Sequence, residues 1–358
     1  HSPEGRGTVA TTVSNRLSGV VGTTVTDTSL ADSAQVGTVT LNEVAAPGAA
    51  VYSSDYTILG MATVKITTSY GIANTPELGF SLPAAPWWIR FYTQLPSTWD
   101  AGHGTNEVRW IARLGDSYGL LARENNTGNI QLRLKQIAIN SPTINPSSFS
   151  GVAPQIDQVF RIDLYYDGTN LQIQVFLFGE TSPRIVYNFN NINLTGSTAG
   201  LSGYRVRDGV NLTQGDANAD VLARQQQLLI WDPNSLPSGA DGEYGPETAT
   251  AVADFQTAHG IPVDGTRING ETGAALDLAV QLIQGDPLPP PTYLSYLAVS
   301  DSGSPGLAVP PYSPAPAAAA VDTAVSVSKT LSAAVQVPLE AASVVQGATQ
   351  RSGSAQTA

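Results

Sequence analysis

The sequence predicts a multidomain, mainly β protein: a jelly-roll-like antiparallel β-sandwich, then a small three-helix module, then an extended Pro/Ala-rich tail. Three observations carry this reading. Between about residues 80 and 190, apolar and polar side chains alternate with period two, the mark of strands with one face in a core. After Asn211 the period becomes helical, and from Gly285 the composition shifts to Pro, Ala, Ser and Val. Four segments follow: 1–35 as an N-terminal arm or first strands, 36–212 as the sandwich, 213–284 as the helical module and 285–358 as the tail.

Composition bounds the rest. The chain has 358 residues, 42% of them hydrophobic and 13% charged, with 34 Gly and 24 Pro, which suits β structure rich in turns. Its formal net charge is −12, so it repels phosphate backbones, and nucleic acid is not an expected partner. There are no cysteines, which excludes disulfides and thiolate metal sites and makes a bacterial or viral origin more natural than a small secreted animal domain. No apolar run reaches the roughly 18 residues of a membrane span, so no membrane partner is expected. The opening residues His1-Ser2-Pro3-Glu4-Gly5 lack the basic flank and apolar run of a signal peptide.

Along the sandwich, Val108, Trp110, Ala112 and Leu114 alternate with Arg109, Ile111 and Arg113; Ile130, Leu132 and Leu134 alternate with Gln131, Arg133 and Lys135. Residues 160–176 form one hairpin by this pattern, turning at Asp167-Gly168-Thr169-Asn170. Residues 8–70 hold strand-like runs such as 38–41 and 63–67, which either supply first strands of the same sandwich or extend as an arm that pairs with a neighbour. The hairpin's strand, Asp-Gly-Thr turn and strand resemble the laminin-G or concanavalin-like jelly roll. Trp87-Trp88-Ile89-Arg90-Phe91-Tyr92, followed by Leu95-Pro96, resembles a strand of such domains in phage minor tail proteins. The likeness covers residues 36–212 and rests on motifs that many sandwiches share.

The helical module carries the sharper signal. Residues 221–230 have apolar positions at helical spacing; Pro246 suits a first helical position, Glu247 the positive helix start and Gly260 a left-handed stop. Two Asp-Gly turns, Asp241-Gly242 and Asp264-Gly265, each lead to a helix beginning near Thr248 or Thr272. With Tyr244, Gly245, Phe255 and Gln256 between them, this set resembles the peptidoglycan-binding domain attached to many bacterial wall hydrolases and phage lysins. Arg224 departs from the pattern, which has a Leu before Gln225. The resemblance implies three helices that hold wall glycopeptide in a shallow groove. Most of the matching residues make the fold, so the module either binds or serves as a packing unit.

Catalytic and metal patterns are not found. His1, His103 and His259 are far apart; His259 closes a helix, where its partial charge suits the C-terminal dipole. Asp157, Asp163 and Asp167 lie near one hairpin without the paired-carboxylate signature of jelly-roll glucanases. Residues 216–220 begin like a calcium loop, yet Val221 and Gln227 stand where Gly and Glu are needed, and a helix cap is the simpler reading. No cofactor, no metal and no catalytic residue is expected, and the chain is read as not an enzyme. Trp99 and Tyr118 are the candidates for stacking on sugars, although packing suits either residue as well.

In the tail, Pro289-Pro290-Pro291 and residues 314–320 suit a disordered linker, and the weak strand signals beyond hold too little apolar surface to fold alone. A tail of this composition is held in place only by neighbouring chains, because ordering costs about 1–2 kcal/mol per residue. Taken together, the sequence suggests a phage virion protein, a minor tail or tail-fibre component that contacts host wall glycan, other virion proteins and copies of itself at the host cell surface. A head decoration or fibre protein, or a secreted bacterial wall-binding protein, fits the same features.

Overall fold

The computed structural model describes residues 11–301 except 43–45, 59, 71–73, 97–106, 125–129, 137–142, 145, 147, 152–153, 156, 208–209, 265–266 and 287–290. Most of the segment read as the tail, residues 302–358, lies outside the described residues, as do Trp99, His103 and Gly265.

In chain order the elements begin with β1 (Thr11–Asn15), α1 (Asp27–Ser33), β2 (Ala34–Val36), β3 (Val39–Leu41), β4 (Ala49–Ile58), β5 (Met61–Thr67) and β6 (Glu77–Ser81). They continue with β7 (Trp87–Gln94), β8 (Glu107–Leu114), β9 (Tyr118–Glu124), β10 (Ile130–Gln136), β11 (Thr143–Ile144) and β12 (Ser148–Gly151). Next come β13 (Val159–Tyr166), β14 (Leu171–Leu177), β15 (Ile185–Phe189), β16 (Thr198–Arg207) and β17 (Leu212–Thr213). The chain then enters α2 (Ala219–Trp231), α3 (Pro246–Ala258), β18 (Arg267–Ile268), α4 (Gly270–Gln284) and β19 (Thr292–Ser300).

These strands build two main antiparallel sheets, as the alternation predicts. One has ten strands, ordered β12-β15-β14-β13-β7-β19-β1-β2, with β5 also on β19 and β4 on β5. The other has seven, ordered β11-β10-β9-β8-β16-β6-β3. The expected hairpin is present as β13 and β14, in register from Phe160↔Leu177 to Tyr166↔Leu171. Its turn is fastened by Asp167, whose Oδ1 accepts from the Thr169 and Asn170 N–H groups at 2.7 Å each. Those backbone donors, with the Asn170 side chain, hold the Asp167 carboxyl below its ordinary pKa. Phe160, Ile162 and Leu164 from one sheet meet Leu120, Leu132 and Leu134 from the other in a single core, each contributing about 1.5–3 kcal/mol by burial.

Three features differ from the sequence reading. The alternation through β8 breaks at a bulge between Trp110 and Ala112. Ile111, Ala112 and Leu114 all enter the core, while Trp110 lies against Gly119, where an added Cβ would fall 1.3 Å from the indole nitrogen. Residues 11–35 supply β1, α1 and part of β2 and so join the ten-stranded sheet, as the first-strand alternative expects; α1, capped by Thr26 and Ser29, has no counterpart in the strand reading.

The third difference falls at the start of the segment read as tail. β19 is buried at all nine positions and lies between β7 and β1 of its own chain. Leu294, Leu297 and Val299 face the core, while Tyr296 and Ala298 join an aromatic cluster on the other side of the sheet. A strand covered on both faces shows no polar alternation. For these residues the partners that offset the ordering cost are intramolecular strands, and no neighbouring subunit is required.

The helices have their own core around Val221, Leu228, Tyr244, Val252, Phe255 and Leu276. Asn218 caps α2 by accepting from the Asp220 and Val221 N–H groups, so the helix-cap reading of residues 216–220 holds. Pro246 opens α3 and Gly260 follows it with φ +64°. α4 packs on α2 and also on β16 of the sandwich, which buries most of its surface. Arg205 of β16 donates to Gln281 Oε1 at 3.4 Å, and Tyr70 packs its ring on His259 at 4.0 Å between centroids. Helices and sandwich therefore share an interface. No helix among the described residues is long and apolar enough to cross a membrane.

Candidate functional site

The helical module is built on two copies of one hydrogen-bonded clasp. In the first, Gln225 of α2 donates from Nε2 to Asp241 Oδ1 at 2.8 Å, to the Glu243 carbonyl at 3.0 Å and to Thr248 Oγ1 at 2.9 Å. Its Oε1 accepts from the Gly242 N–H at 2.7 Å. In the second, Gln256 of α3 donates to Asp264 Oδ1 at 3.2 Å and to Thr272 Oγ1 at 3.0 Å, and accepts from the Asp264 N–H at 3.3 Å. Each glutamine ties the loop after its helix to the first turn of the next helix. A primary amide does this because it offers donors and an acceptor in one plane.

The clasps explain the residues that the sequence singles out. Thr248, Gln256 and Thr272 are buried clasp members, and Phe255 fills the core beside them. Asp241 is exposed, and the Gln225 amide and Glu243 N–H hold its carboxyl below the ordinary pKa. Gly242 has φ +81°, a conformation that the tight loop needs and only glycine adopts freely. Gly245 is the N-cap of α3. Tyr244 lies in the core at 1% exposure, with burial first and Asp264 second raising its hydroxyl pKa. Gln225, the hub of the first clasp, was not singled out from the sequence. It precedes its aspartate by 16 residues, where Gln256 precedes its own by 8, so no fixed spacing announces the pair.

The two clasped loops come together across the lead-in to the module. Leu212 and Thr213 pair with Ile268 and Arg267, and Ala217 bridges Glu243. Asp264 lies close enough to Tyr244 to raise its pKa; the Tyr244 hydroxyl is buried without a hydrogen bond, while Asp264 Oδ2 lies 3.3 Å from Arg267 Nε. Asp216, Asp241, Glu243 and Arg267 give this end of the module a polar rim whose groups range from half-buried to exposed. Asp216 accepts from the Thr213 N–H, Asp241 from the Glu243 N–H, and Arg267 pairs with Asp264, so the rim is fixed in place by its own contacts.

Arg224, the departure from the family pattern, is accommodated by α4. Its Nη1 lies 2.8 Å from Asp277 Oδ1 and also donates to the Gly273 carbonyl at 3.1 Å, with both ionic side chains mostly buried. His259 is held by packing on Tyr70, Phe255 and Trp231, and burial lowers its pKa. The expected charge–dipole role is thereby corrected: burial disfavours the charged form that such a role needs.

Tyr118, one of the two stacking candidates, is 5% exposed in the sandwich core, so it offers no face to a sugar. Trp99, the other, lies outside the described residues. Asp163 forms ion pairs with Arg90 and Arg161, and Asp167 fastens its turn.

A family model for a peptidoglycan binding domain matches residues 217–282, the span that the two clasps organise. The match supports a peptidoglycan-binding module and, with it, an extracellular or wall-associated setting. Comparison with curated protein sequences finds no match. Among solved structures the chain is similar to an alginate lyase from Alteromonas sp. 272, with 8% identity over 39% of this chain and 63% of that one and a TM-score of 0.25. It is also similar to the enzymatically active domain of bacteriophage CBA120 tailspike protein 2, with 17% identity over 52% of this chain and 29% of that one and a TM-score of 0.32. A third is the cellulose-induced protein Cip1, with 15% identity over 46% of this chain and 88% of that one and a TM-score of 0.28. The chain spans less than two thirds of the lyase and the tailspike domain. These scores transfer no activity or ligand to this chain. They do correct one expectation: a lyase and an enzymatically active tailspike domain stand among the similar structures, so the reading of the chain as not an enzyme is withdrawn.

Proposed function

We propose that the chain binds bacterial cell-wall glycan through the rim formed by its two clasped loops, and that it does so as a structural component of a phage particle, in the tail or a tail fibre. The observation that carries the binding step is the agreement between the family match over residues 217–282 and a pair of clasps that fix both loops of that same span. Loops fixed before binding lose little freedom when a ligand arrives, which favours affinity. The exposed Glu243 carboxylate at this rim supplies a group for the hydroxyls and amides of a glycopeptide. The particle assignment rests on the acidic, cysteine-free composition and on the pairing of a β-sandwich with a wall-binding module.

Cosedimentation of the purified chain with insoluble peptidoglycan sacculi tests the binding. Retention in the pellet that soluble muropeptides compete away is the expected result, and recovery entirely in the supernatant overturns it. Antibody labelling of purified particles tests the placement. Label at the tail supports it, label at the head moves the chain to a head fibre, and absence from particles leaves a secreted wall-binding protein.

A further inference from the structure

The outer face of the ten-stranded sheet, opposite the core, holds aromatic, charged and amide side chains that lie outside the wall-binding module. Register and alternation place its side chains in three rows. Trp88 stands opposite Tyr165 and Tyr165 opposite Gln172; Arg90 opposite Asp163 and Asp163 opposite Gln174; Tyr92 opposite Arg161 and Arg161 opposite Phe176. Cross-strand neighbours on one face are within contact range, and one pair in each row is in contact. Trp88 stacks on Tyr165 with centroids 4.7 Å apart, and the Arg161 guanidinium lies 3.7 Å from the Phe176 centroid.

Arg161 is the unusual member. It is 9% exposed, its Nε sits 3.1 Å from Asp163 Oδ1, and it makes no other ion pair and no hydrogen bond among the described residues. Asp163 is already oriented by Arg90, which donates to Oδ1 at 2.8 Å and to Oδ2 at 2.6 Å. Nε is fully buried against Asp163, whereas the two terminal nitrogens keep contact with solvent and have no partner among the described residues, which leaves their N–H groups open to a ligand. Beside them, Gln174 donates to Gln172 at 2.7 Å and Gln172 to Asn188 at 3.0 Å, an amide ladder along the half-buried part of the face. Phe178, 41% exposed, stands at the edge.

We propose that this face is a second glycan site, separate from the wall-binding module, and that it recognises a saccharide bearing a carboxylate. The terminal N–H groups of Arg161, kept planar on Phe176, take the carboxylate in a two-point hydrogen bond, the geometry for which a guanidinium is suited. The amides of Gln172 and Gln174 meet ring hydroxyls, and Tyr165, backed by Trp88, offers the apolar platform on which a sugar ring rests.

Calorimetric titration of the full chain with oligogalacturonate, and with the same oligomer fully methyl-esterified, tests the proposal. The acidic oligomer binds, its affinity falls with added salt, and the ester binds at least about tenfold more weakly, the expected loss for a charge-assisted pair. Arg161→Met weakens the acidic oligomer by a similar factor, Arg161→Lys restores part of it, and both variants still cosediment with sacculi like the parent chain. Gln174→Ala gives a smaller loss and serves as the informative variant if Arg161→Met does not fold. Absence of binding, equal affinity for acid and ester, or parental affinity in folded Arg161→Met overturns the proposal. Because sacculus binding is read separately, failure here is distinguishable from failure of the wall-binding module.

Discussion

Replacing Gln225 by alanine removes the hub of the first clasp, leaves the Gly242 N–H without its acceptor and takes one of the donors from the Glu243 carbonyl. The amide supplies two hydrogens and one acceptor at a time, so about three hydrogen bonds are lost, each worth a net ~1 kcal/mol. Gln225 is 1% exposed, so water does not replace it at the original site. The expected loss is therefore roughly 3 kcal/mol. Urea unfolding, with amide exchange at Gly242 to localise the effect, measures it. Gln225→Glu, nearly the same in shape but with no hydrogen to donate at neutral pH, loses a comparable amount, and more at pH 7 than near pH 4 because Asp241 lies beside it. Gln256→Ala acts on the second clasp without sharing a partner, so the two losses add within a few tenths of a kcal/mol. A loss below about 0.5 kcal/mol for Gln225→Ala refutes the clasp. So does unchanged stability with wall binding abolished, which makes Gln225 a ligand contact.

Arg224→Leu, which brings in the residue of the family pattern, removes the charged partner of the mostly buried Asp277 carboxylate, leaving it the Gln227 amide, and costs about 3 kcal/mol; adding Asp277→Leu recovers much of it, as urea melts of the single and double variants would show. The His259 pKa is lowered by burial, so the unfolded chain binds its proton more readily. Stability from this residue is full above the unfolded pKa of about 6.5 and is lost as pH falls from there through the lower folded value. Thermal melts between pH 7.5 and 5 show that decline in the parent and a flatter profile in His259→Phe. Gly119→Ala drives a methyl group into the Trp110 indole and destabilises the sandwich by about 1–3 kcal/mol or more, a cost that Trp110→Leu relieves in the double variant.

Local pattern determined a good deal of this protein. The hairpin of β13 and β14 is legible in residues 160–176 because alternation and an Asp-Gly-Thr-Asn turn act within a few residues of each other. Likewise the ends of α3 follow from Pro246 and Gly260. The module was recognisable as a set from its two Asp-Gly turns. What the tertiary structure alone decided depends on residues that meet across long stretches of chain. β19 reads as part of a Pro-rich tail until β1 and β7 enclose it and make its unbroken apolar face a requirement. Trp110 leaves the alternation because a bulge turns Ile111 inward, and a bulge has no signature in the apolar pattern. Arg224 becomes intelligible only beside Asp277, 53 residues later. Arg161 looks like any solvent-facing position of an alternating strand; only the folded sheet buries it over Phe176 beside an aspartate that Arg90 already holds. Periodicity reports which face of an element is apolar, whereas the partner of a buried polar group is set by packing between elements.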